Sequence, residues 1–208
     1  AIRFATILDF TIEKNLQVEI QNNKNLLKTL SGYRIKEEIS KILFSSNFKK
    51  GLQLLHQFSL CEIMGLSFSD YVYTNDLCGM WAQIKMKRNI PFTKREKENI
   101  VKIRDILKRK QITRNILYEY GLYISLIAGE ILGIDVNNIH KMYQELPIYT
   151  RKDLRLSFKE ICEILEVKPS RKVKNMESFL IKEVINERVF NNKRLLKEYL
   201  LTNKSRWF

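Results

Sequence analysis

The 208-residue sequence carries 37 Lys and Arg against 23 Asp and Glu, a formal net charge of +14, and 45% of its residues are hydrophobic. This composition excludes a disordered tail, because it can supply one good core or two smaller ones. Seven Gly and three Pro provide little of the turn chemistry that a sheet-rich fold needs, so helices are predicted.

The excess positive charge favours a polyanionic partner, with nucleic acid ahead of an anionic membrane surface. Lys, Asn and Ile are all abundant, so an AT-rich genome is an alternative explanation for the charge. No apolar run approaches the roughly 20 residues that cross a bilayer, and no signal peptide pattern is present. We therefore expect a cytoplasmic protein with no membrane partner. The chain begins at Ala1 without Met, and we expect it to be part of a longer protein.

Apolar residues recur at helical spacing through the first half of the chain. The predicted elements are one or two short helices between Phe10 and Leu30, an amphipathic helix after Ser31-Gly32, a helix from Leu52 to Ile63 that stops near Gly65, and a loop from Ser67 to Asp76. The amphipathic helix has the clearest pattern, because Ile35, Ile39 and Ile42 fall on one helical face.

The second half of the chain is also helical in pattern, with a break at Pro147. Pro91 and Thr93 indicate a helix start at about Lys94. Further helices are predicted over Ile116 to Leu132, ending at Gly133, and over Leu156 to Val167, Val173 to Ile185 and Asn192 to Leu201. Because proline cannot continue a helix, two helical subdomains are predicted to meet near Pro147. We predict no strand and no internal repeat.

The residue types that carry catalysis or hold metals are sparse. Asp70 and Asp76 lie six residues apart in a predicted loop, without the short Asp-x-Asp spacing that cation sites commonly use. His56 and His140 lack a second ligand at metal-binding spacing. No pair of glycines has the spacing of a phosphate loop. The three cysteines are predicted to be reduced core residues: they are Cys61, Cys78 and Cys162. Catalysis by this chain alone is not expected.

The basic residues gather in three clusters, most of them at predicted loops and helix ends. The first basic cluster is Lys85, Lys87, Arg88, Lys94 and Arg95; the second is Lys108, Arg109, Lys110 and Arg114; the third is Arg151, Lys152 and Arg155 with Lys168, Arg171, Lys172 and Lys174. Cations at helix starts act together with backbone amides when a phosphate approaches. Each cluster alone is typical of a solvated face, but together they predict a surface that follows a phosphate backbone.

Several segments, in order and at characteristic spacing, resemble one family. They are Arg3-Phe4-Ala5-Thr6-Ile7-Leu8-Asp9-Phe10; Ser31-Gly32-Tyr33-Arg34 with Glu38 and Lys41; Gly51-Leu52 through Leu60; Leu146-Pro147-Ile148-Tyr149-Thr150-Arg151-Lys152-Asp153-Leu154; Lys168-Pro169; and Glu183-Val184-Ile185-Asn186 to Asn191-Asn192. The family is the class II bacterial tRNA nucleotidyltransferases, the CCA-adding enzymes and their poly(A) polymerase relatives. From about Ser67 to Asn138 only the helical character matches, and the chain departs from the family pattern at Ser157-Phe158 and Ser170-Arg171-Lys172.

The resemblance implies an all-α fold with a neck-like region (1–66), a body-like region (67–146) and a smaller tail-like region (147–208). The catalytic head and its Mg²⁺-binding carboxylates are absent from this sequence. By resemblance, Arg3 lies at the edge of the nucleotide pocket, and Arg34 and Glu38 brace it through an i, i+4 ion pair; an ordinary surface pair is the alternative.

By the same resemblance, the basic clusters hold the acceptor and T arms of tRNA through backbone contacts read by shape and charge. The longer protein would add C, C and A to tRNA 3′ ends from CTP and ATP. Alternatives are a parent that adds poly(A) or only part of CCA, and a non-catalytic helical RNA-binding module. Without the head, self-association of the chain through an exposed apolar surface is a further hypothesis.

Overall fold

The computed structural model describes residues 1–68 and 70–206, the last of these by its backbone only. This part of the chain is mainly α-helical, which confirms the predicted all-α class. Its helices are α1 (Ile2–Ile7), α2 (Lys14–Asn23), α3 (Gly32–Leu43), α4 (Phe48–Gln57), α5 (Leu60–Ile63), α6 (Leu77–Ala82), α7 (Lys94–Arg109), α8 (Arg114–Leu132), α9 (Val136–Gln144), α10 (Phe158–Leu165), α11 (Arg171–Ile185) and α12 (Lys193–Thr202). Short 3₁₀ helices cover Lys24–Thr29, Arg151–Asp153 and Lys204–Arg206. No described helix is both long enough and apolar enough to cross a membrane.

The chain forms two compact units. The first contains Ala1–Lys110 and Glu130–Gly133, and the second contains Gln111–Gly129 and the chain from Ile134 onward. Pro147 therefore lies inside the second unit and does not separate the two. The physical reason is that its neighbours Leu146 and Ile148 are both buried in that unit's core. The finer division into neck-, body- and tail-like regions stays a prediction.

In the first unit, the apolar face of α3 packs into a core that contains Trp81. Ile35, Ile39 and Ile42 are at most 3% exposed, as their helical spacing predicted. Trp81 is fully buried, and its indole Nε1 donates a hydrogen bond to Ser40 Oγ at 3.0 Å. Burying each of these large side chains contributes about 1.5–3 kcal/mol to folding.

The first unit also contains one two-stranded antiparallel sheet, whose strands lie on either side of α6 in the sequence. Strand β1 (Leu66–Phe68) pairs with β2 (Ile84–Met86), and Ser67 lies opposite Lys85. The expectation that the chain has no strand was therefore wrong, and the start of the predicted loop after Gly65 belongs to β1. Each strand has only three residues, which is too short to show the alternation by which a strand is recognised in a sequence.

Two predicted helices contain a break that the apolar pattern did not show. The helix predicted over Leu52 to Ile63 is two helices, α4 and α5, because Ser59 between them adopts a left-handed conformation with φ 56°. Gly121 interrupts α8 with φ 81° and ψ 170°, a conformation that glycine adopts without steric cost. Apolar residues continue in the sequence across both positions, so the pattern indicated neither break.

The second unit has its own core, built from α8 to α12 and the segment between α9 and α10. Its buried apolar residues include Leu117, Ile139, Leu156, Leu180 and Leu196. The three predicted C-terminal helices are confirmed as α10, α11 and α12. Ser157 and Ser170 begin α10 and α11 by accepting hydrogen bonds from backbone amides of the first turn.

Candidate nucleic-acid interface

Arg3, Arg34 and Glu38 meet in the first unit. Arg3 Nη1 lies 2.8 Å from Glu38 Oε1, and Arg34 Nη2 lies 3.1 Å from the same oxygen. The predicted i, i+4 pair is thus present, and α3 begins at Ser31, whose hydroxyl accepts from the Arg34 amide at 3.2 Å. All three side chains line a cavity of about 300 Å³ between α1 and α3. Two guanidinium groups share one carboxylate there, so the cluster keeps a net positive charge.

Glu37, beside this cluster, carries a second set of ion pairs. Its carboxylate contacts Lys41 Nζ at 2.5 Å and Arg34 Nη1 at 3.0 Å. These contacts lower the pKa of Glu37, with the hydrogen bond from Lys41 as the largest cause. Glu37 therefore contacts Nη1 of Arg34 while Glu38 contacts Nη2, so two neighbouring carboxylates of α3 hold this guanidinium group.

The first basic cluster lies around the β1–β2 sheet and the start of α7. Arg88 is committed to the fold, because its guanidinium donates to the carbonyls of Lys28 and Leu30. Lys85 and Lys87 are exposed on and just after β2, and neither forms an ion pair with any described residue. Lys94 and Arg95 are exposed at the first turn of α7. These four cations are available to a ligand.

A half-buried arginine holds the segment that joins α6 to β2. The guanidinium of Arg104, on α7, donates to the carbonyls of Trp81 at 3.1 Å, Ala82 at 3.1 Å and Ile84 at 2.6 Å. Burial lowers the pKa of Arg104. Sequence reasoning missed this residue, since nothing in the spacing of α7 shows that its partners lie 20 or more residues earlier.

The second basic cluster divides between the two units. Lys108, Arg109 and Lys110 end α7, where cations interact favourably with the carboxyl end of the helix dipole. Arg109 is also paired with Asp105 at 2.8 Å. Arg114 belongs to the second unit, where it is held by Glu187 at 2.5 Å and Glu145 at 3.9 Å. Arg109 and Arg114 thus have structural partners, and RNA contact by Lys108, Arg109 and Lys110 stays a prediction.

In the third basic cluster, a folded turn presents the first group of cations. Asp153 accepts hydrogen bonds from the amides of Tyr149 and Thr150, at 2.9 and 2.7 Å, and these bonds lower its pKa. Lys152 and Arg155 line a cavity of about 340 Å³ on this turn. Both are exposed, and neither side chain forms an ion pair within the described chain.

Arg151, on the same turn, is partly exposed and also contacts α11. It lies 2.5 Å from the buried carboxylate of Glu177, and its guanidinium carbon lies 5.6 Å from the centre of the Phe158 ring. These contacts tie the turn to α11, and the predicted RNA contact of Arg151 stays a prediction.

The second group of the third cluster surrounds the start of α11. A cleft of about 640 Å³ opens there, lined by Phe158, Pro169, Ser170, Arg171, Lys174, Asn175 and Ser178. Arg171 and Lys174 are exposed and form no ion pair with described residues; Lys168 is exposed just before the helix, and Lys172 lies on its first turn. Amides at the start of a helix and nearby cations together suit a phosphate group.

Sequence reasoning missed the neutral polar residues of this cleft. Ser170, Asn175 and Ser178 supply hydroxyl and amide groups beside the cations. The sequence held a signal for two of them, because Arg171, Lys174, Asn175 and Ser178 occupy positions i, i+3, i+4 and i+7 of one helix face.

Asp70, Asp76 and the three cysteines were not predicted to act in catalysis or metal binding, and the structure places them as follows. Asp76 caps α6 by accepting from the Gly79 amide at 2.8 Å, and Asp70 is exposed. Cys78 and Cys162 are buried and Cys61 is half-buried, all as free thiols. Within residues 1–68 and 70–206, no group of three or more His, Cys, Asp or Glu side chains is placed to hold a metal ion.

Comparison with known proteins gives two family matches along the chain. A family profile described as the probable RNA- and SrmB-binding site of polymerase A matches residues 9–66. A second profile, described as tRNA nucleotidyltransferase domain 2, matches residues 83–200, more than half of the 208 residues.

Individual relatives have related names. A CCA-adding enzyme of Ligilactobacillus salivarius is 27% identical over 95% of this chain and 57% of its own length. A CC-adding tRNA nucleotidyltransferase of Halalkalibacterium halodurans is 21% identical over 96% of this chain and 60% of its own length. The chain thus spans somewhat more than half the length of the curated relatives it matches.

A solved structure has the same fold. The crystal structure of the Bacillus stearothermophilus CCA-adding enzyme in complex with CTP superimposes with a TM-score of 0.85 at 19% identity. The match covers 99% of this chain and 60% of that one.

Proposed function

This chain belongs to the tRNA nucleotidyltransferase family, and from that premise we propose that it is the tRNA-binding portion of a nucleotidyltransferase. The acceptor and T arms of tRNA are the proposed ligand. The contacts are cations on backbone phosphates, which read the shape of an RNA duplex rather than its base sequence.

The observation that carries this proposal is the cleft at the start of α11. Arg171 and Lys174 line it without an internal carboxylate partner among the described residues, and Asn175 adds a neutral amide donor beside the hydroxyl groups of Ser170 and Ser178. In a chain of net charge +14, unpaired cations at a helix start form an anion site rather than an internal ion-pair network. The turn that carries Lys152 and Arg155 extends this charge within the second unit.

A double substitution tests the cleft. Arg171→Ala with Lys174→Ala removes two cations, so the slope of log affinity against log salt for tRNA is expected to become shallower by about 1 to 2. The control is Lys14→Ala with Lys49→Ala, which removes two exposed cations of the first unit outside all three clusters. Fluorescence anisotropy with labelled tRNA gives the slopes, and circular dichroism checks folding. Equal slopes for the two variants would contradict the proposal.

For the whole protein we propose addition of C, C and A to tRNA 3′ ends from CTP and ATP, with Mg²⁺ held by residues outside this chain. Addition of CC alone is a second candidate, since a relative that covers 96% of this chain carries that name. The full-length protein would be given tRNA that lacks its CCA end, CTP and ATP. Products longer by three, by two or by many residues separate CCA addition, CC addition and poly(A) synthesis.

Arg3, Arg34 and Glu38 are proposed to support the nucleotide pocket of the whole enzyme from within the neck-like region, 1–66. Glu38→Gln would remove the carboxylate that both arginines share. A higher KM for CTP and ATP with unchanged tRNA affinity is the expected result. An unchanged KM would leave these residues as a surface ion-pair cluster.

Two further expectations concern the chain in solution. We propose a cytoplasmic location. We also propose weak self-association through the exposed apolar residues of the first ten positions, since Phe4, Leu8 and Phe10 are 54%, 51% and 60% exposed. Sedimentation velocity at rising concentration measures it, and a concentration-independent monomer would contradict it.

A further inference from the structure

The first unit contains a cleft that belongs neither to the α11 site nor to the Arg3–Glu38 cavity. Its volume is about 780 Å³, within the range of roughly 300–1,000 Å³ that is usual for small-molecule sites. The cleft lies between α4, α5 and the β1–β2 sheet. Its lining residues are Leu52, Gln53, His56, Cys61, Glu62, Gly65, Leu66, Ser67, Phe68, Lys85 and Lys87.

Two cations line this cleft. Lys85 lies in β2 and Lys87 follows directly after its end, and both side chains line the cleft. Neither is engaged by a carboxylate of a described residue. The backbone beneath them is held firmly, because Lys87 donates its amide to the Gly65 carbonyl at 2.8 Å and Arg104 bonds the Ile84 carbonyl at 2.6 Å. Both lysines are therefore carried by backbone that is tied to neighbouring segments, Lys85 by its pairing with Ser67 and Lys87 by its bond to Gly65.

The rest of the lining is mixed. Leu52, Leu66 and Phe68 supply an apolar wall, and the Phe68 ring is supported edge-on by Tyr71, with ring centres 6.3 Å apart. Gln53 and His56 add polar groups from one face of α4. An apolar wall with a supported aromatic ring suits a planar base, while paired lysines suit a phosphate.

The local charge balance favours an anion. Glu62 is the one carboxylate among the cleft's lining residues, against Lys85 and Lys87. Glu62 contacts neither lysine within ion-pair distance in the described structure, so it lowers the site's positive charge without closing the site.

We propose that this cleft binds a single nucleotide unit, with its phosphate on Lys85 and Lys87 and its base against Phe68 and Leu66. The nucleotide has two sources, a free mononucleotide or an unpaired residue of bound RNA. The RNA form rests on the proposed function, and the mononucleotide form does not.

The chain offers a direct probe, because it has only two histidines and one of them lines the cleft. In protein labelled at histidine Cε1, two ring signals are expected, and His140→Gln assigns them. At pH 8, cytidine or adenosine monophosphate should move the His56 signal along a saturable curve and leave the His140 signal in place. Inorganic phosphate at equal ionic strength should bind more weakly, because it lacks the base.

Substitutions then locate the contacts. Lys85→Ala with Lys87→Ala should weaken nucleotide binding at least about tenfold, since it removes both charge-assisted contacts. Lys14→Ala with Lys28→Ala removes two exposed cations of the first unit that lie outside the lining residues and outside all three basic clusters, and it should leave the curve unchanged. Glu62→Gln should strengthen binding about two- to fivefold by removing the opposing charge.

The outcomes separate the two sources. A saturable, lysine-dependent shift with mononucleotides supports the proposal, and one seen only with a single-stranded pentanucleotide supports it with RNA as the source. The proposal is overturned if no ligand moves the His56 signal, if phosphate binds as tightly as nucleotide, or if the shift survives Lys85→Ala with Lys87→Ala. tRNA affinity, measured by anisotropy on the same samples, tests the proposed function separately: tight tRNA binding with a stationary His56 signal would overturn the cleft proposal alone.

Discussion

Two glutamates of α11 show how single residues hold the basic surface in place. Glu177 is 4% exposed and contacts Arg151; Glu183 is 5% exposed, contacts Arg188 at 2.9 Å and accepts from the Tyr199 hydroxyl at 2.5 Å. A buried carboxylate costs free energy unless it is paired, so these contacts are conditions for folding. Glu177 thereby ties the cation-bearing turn to α11.

Glu177→Gln tests this tie. The substitution keeps the shape but removes the charge, and we expect the free energy of unfolding to fall by about 1–3 kcal/mol. Glu163→Gln on α10 is the control, because Glu163 is 62% exposed and its partner Lys159 is 3.9 Å away; its effect should stay under about 0.5 kcal/mol. Urea denaturation followed by circular dichroism measures both. Equal effects would show that Arg151 and Glu177 do not stabilise the fold.

At the same scale, the sequence predicted contacts that are local and missed those that are distant. Arg34 and Glu38 lie four residues apart on one helix, so their ion pair followed from spacing. Arg3 contacts Glu38 across 35 residues, and Arg88 contacts the Leu30 carbonyl across 58. From the sequence alone both arginines are expected at the surface, because only the folded chain shows which carbonyl or carboxylate each one contacts.

At the scale of elements, the contacts that stabilise the start of α10 depend on pH. The Ser157 amide and hydroxyl donate to Glu160 at 2.8 and 2.7 Å, and Lys193 of α12 contacts the same carboxylate. The pKa of Glu160 is lowered to about 2, with the Lys193 hydrogen bond as the largest cause. A lowered pKa in the folded state means that the stabilisation is present above the ordinary pKa of 4.5 and is lost as the pH falls toward 2.

Glu160→Gln is therefore expected to reduce stability at pH 6 and to flatten the loss of stability between pH 4.5 and pH 2. Glu163→Gln, one turn later on the same helix, should keep the wild-type slope. Urea midpoints at a series of pH values measure both. A variant whose pH dependence matches that of the wild type would show that Glu160 does not couple α10 to α12.

Helix packing in the first unit depends on a glycine of α4. A Cβ at Gly51 would lie 2.4 Å from Ile42 Cγ2 and 2.9 Å from Thr6 Cγ2, and both neighbours are buried. Gly51→Ala gains about 1 kcal/mol in helix propensity but loses about 1–3 kcal/mol through overpacking, so thermal stability should fall. Lys49→Ala, exposed on the same helix, should not lower it. A more stable Gly51→Ala protein would contradict this close contact.

The start of a helix was predicted correctly where a local capping motif sets it, and elements that depend on contacts between distant residues were missed. Thr93 and Glu96 form a capping box, so α7 begins at Lys94 as predicted. The two-stranded sheet was missed because each strand has three residues, and its pairing joins Leu66 to Met86 across 19 intervening positions. The α11 cleft was predicted only by its cations, since α10 contributes Phe158 to it through tertiary packing.

At the scale of the molecule, charge and family membership point to the same ligand. The net charge of +14 predicted a polyanion, and the family profile over residues 83–200 narrows the proposal to tRNA. Internal ion pairs engage several of the predicted contacts, including Arg109, Arg114 and Arg151. Other proposed RNA contacts form no such ion pair among the described residues; they include Lys152, Arg155, Lys168, Arg171 and Lys174 of the second unit and Lys85 and Lys87 of the first.

The most direct test is a salt titration of binding to tRNA and to duplex DNA of equal length. A tRNA-binding surface predicts micromolar or tighter affinity that prefers tRNA, with a log–log salt slope that corresponds to several neutralised phosphates. Equal affinity for both, or no binding at moderate salt, would mean that the charge is compositional and would contradict the proposed tRNA-binding function of this chain.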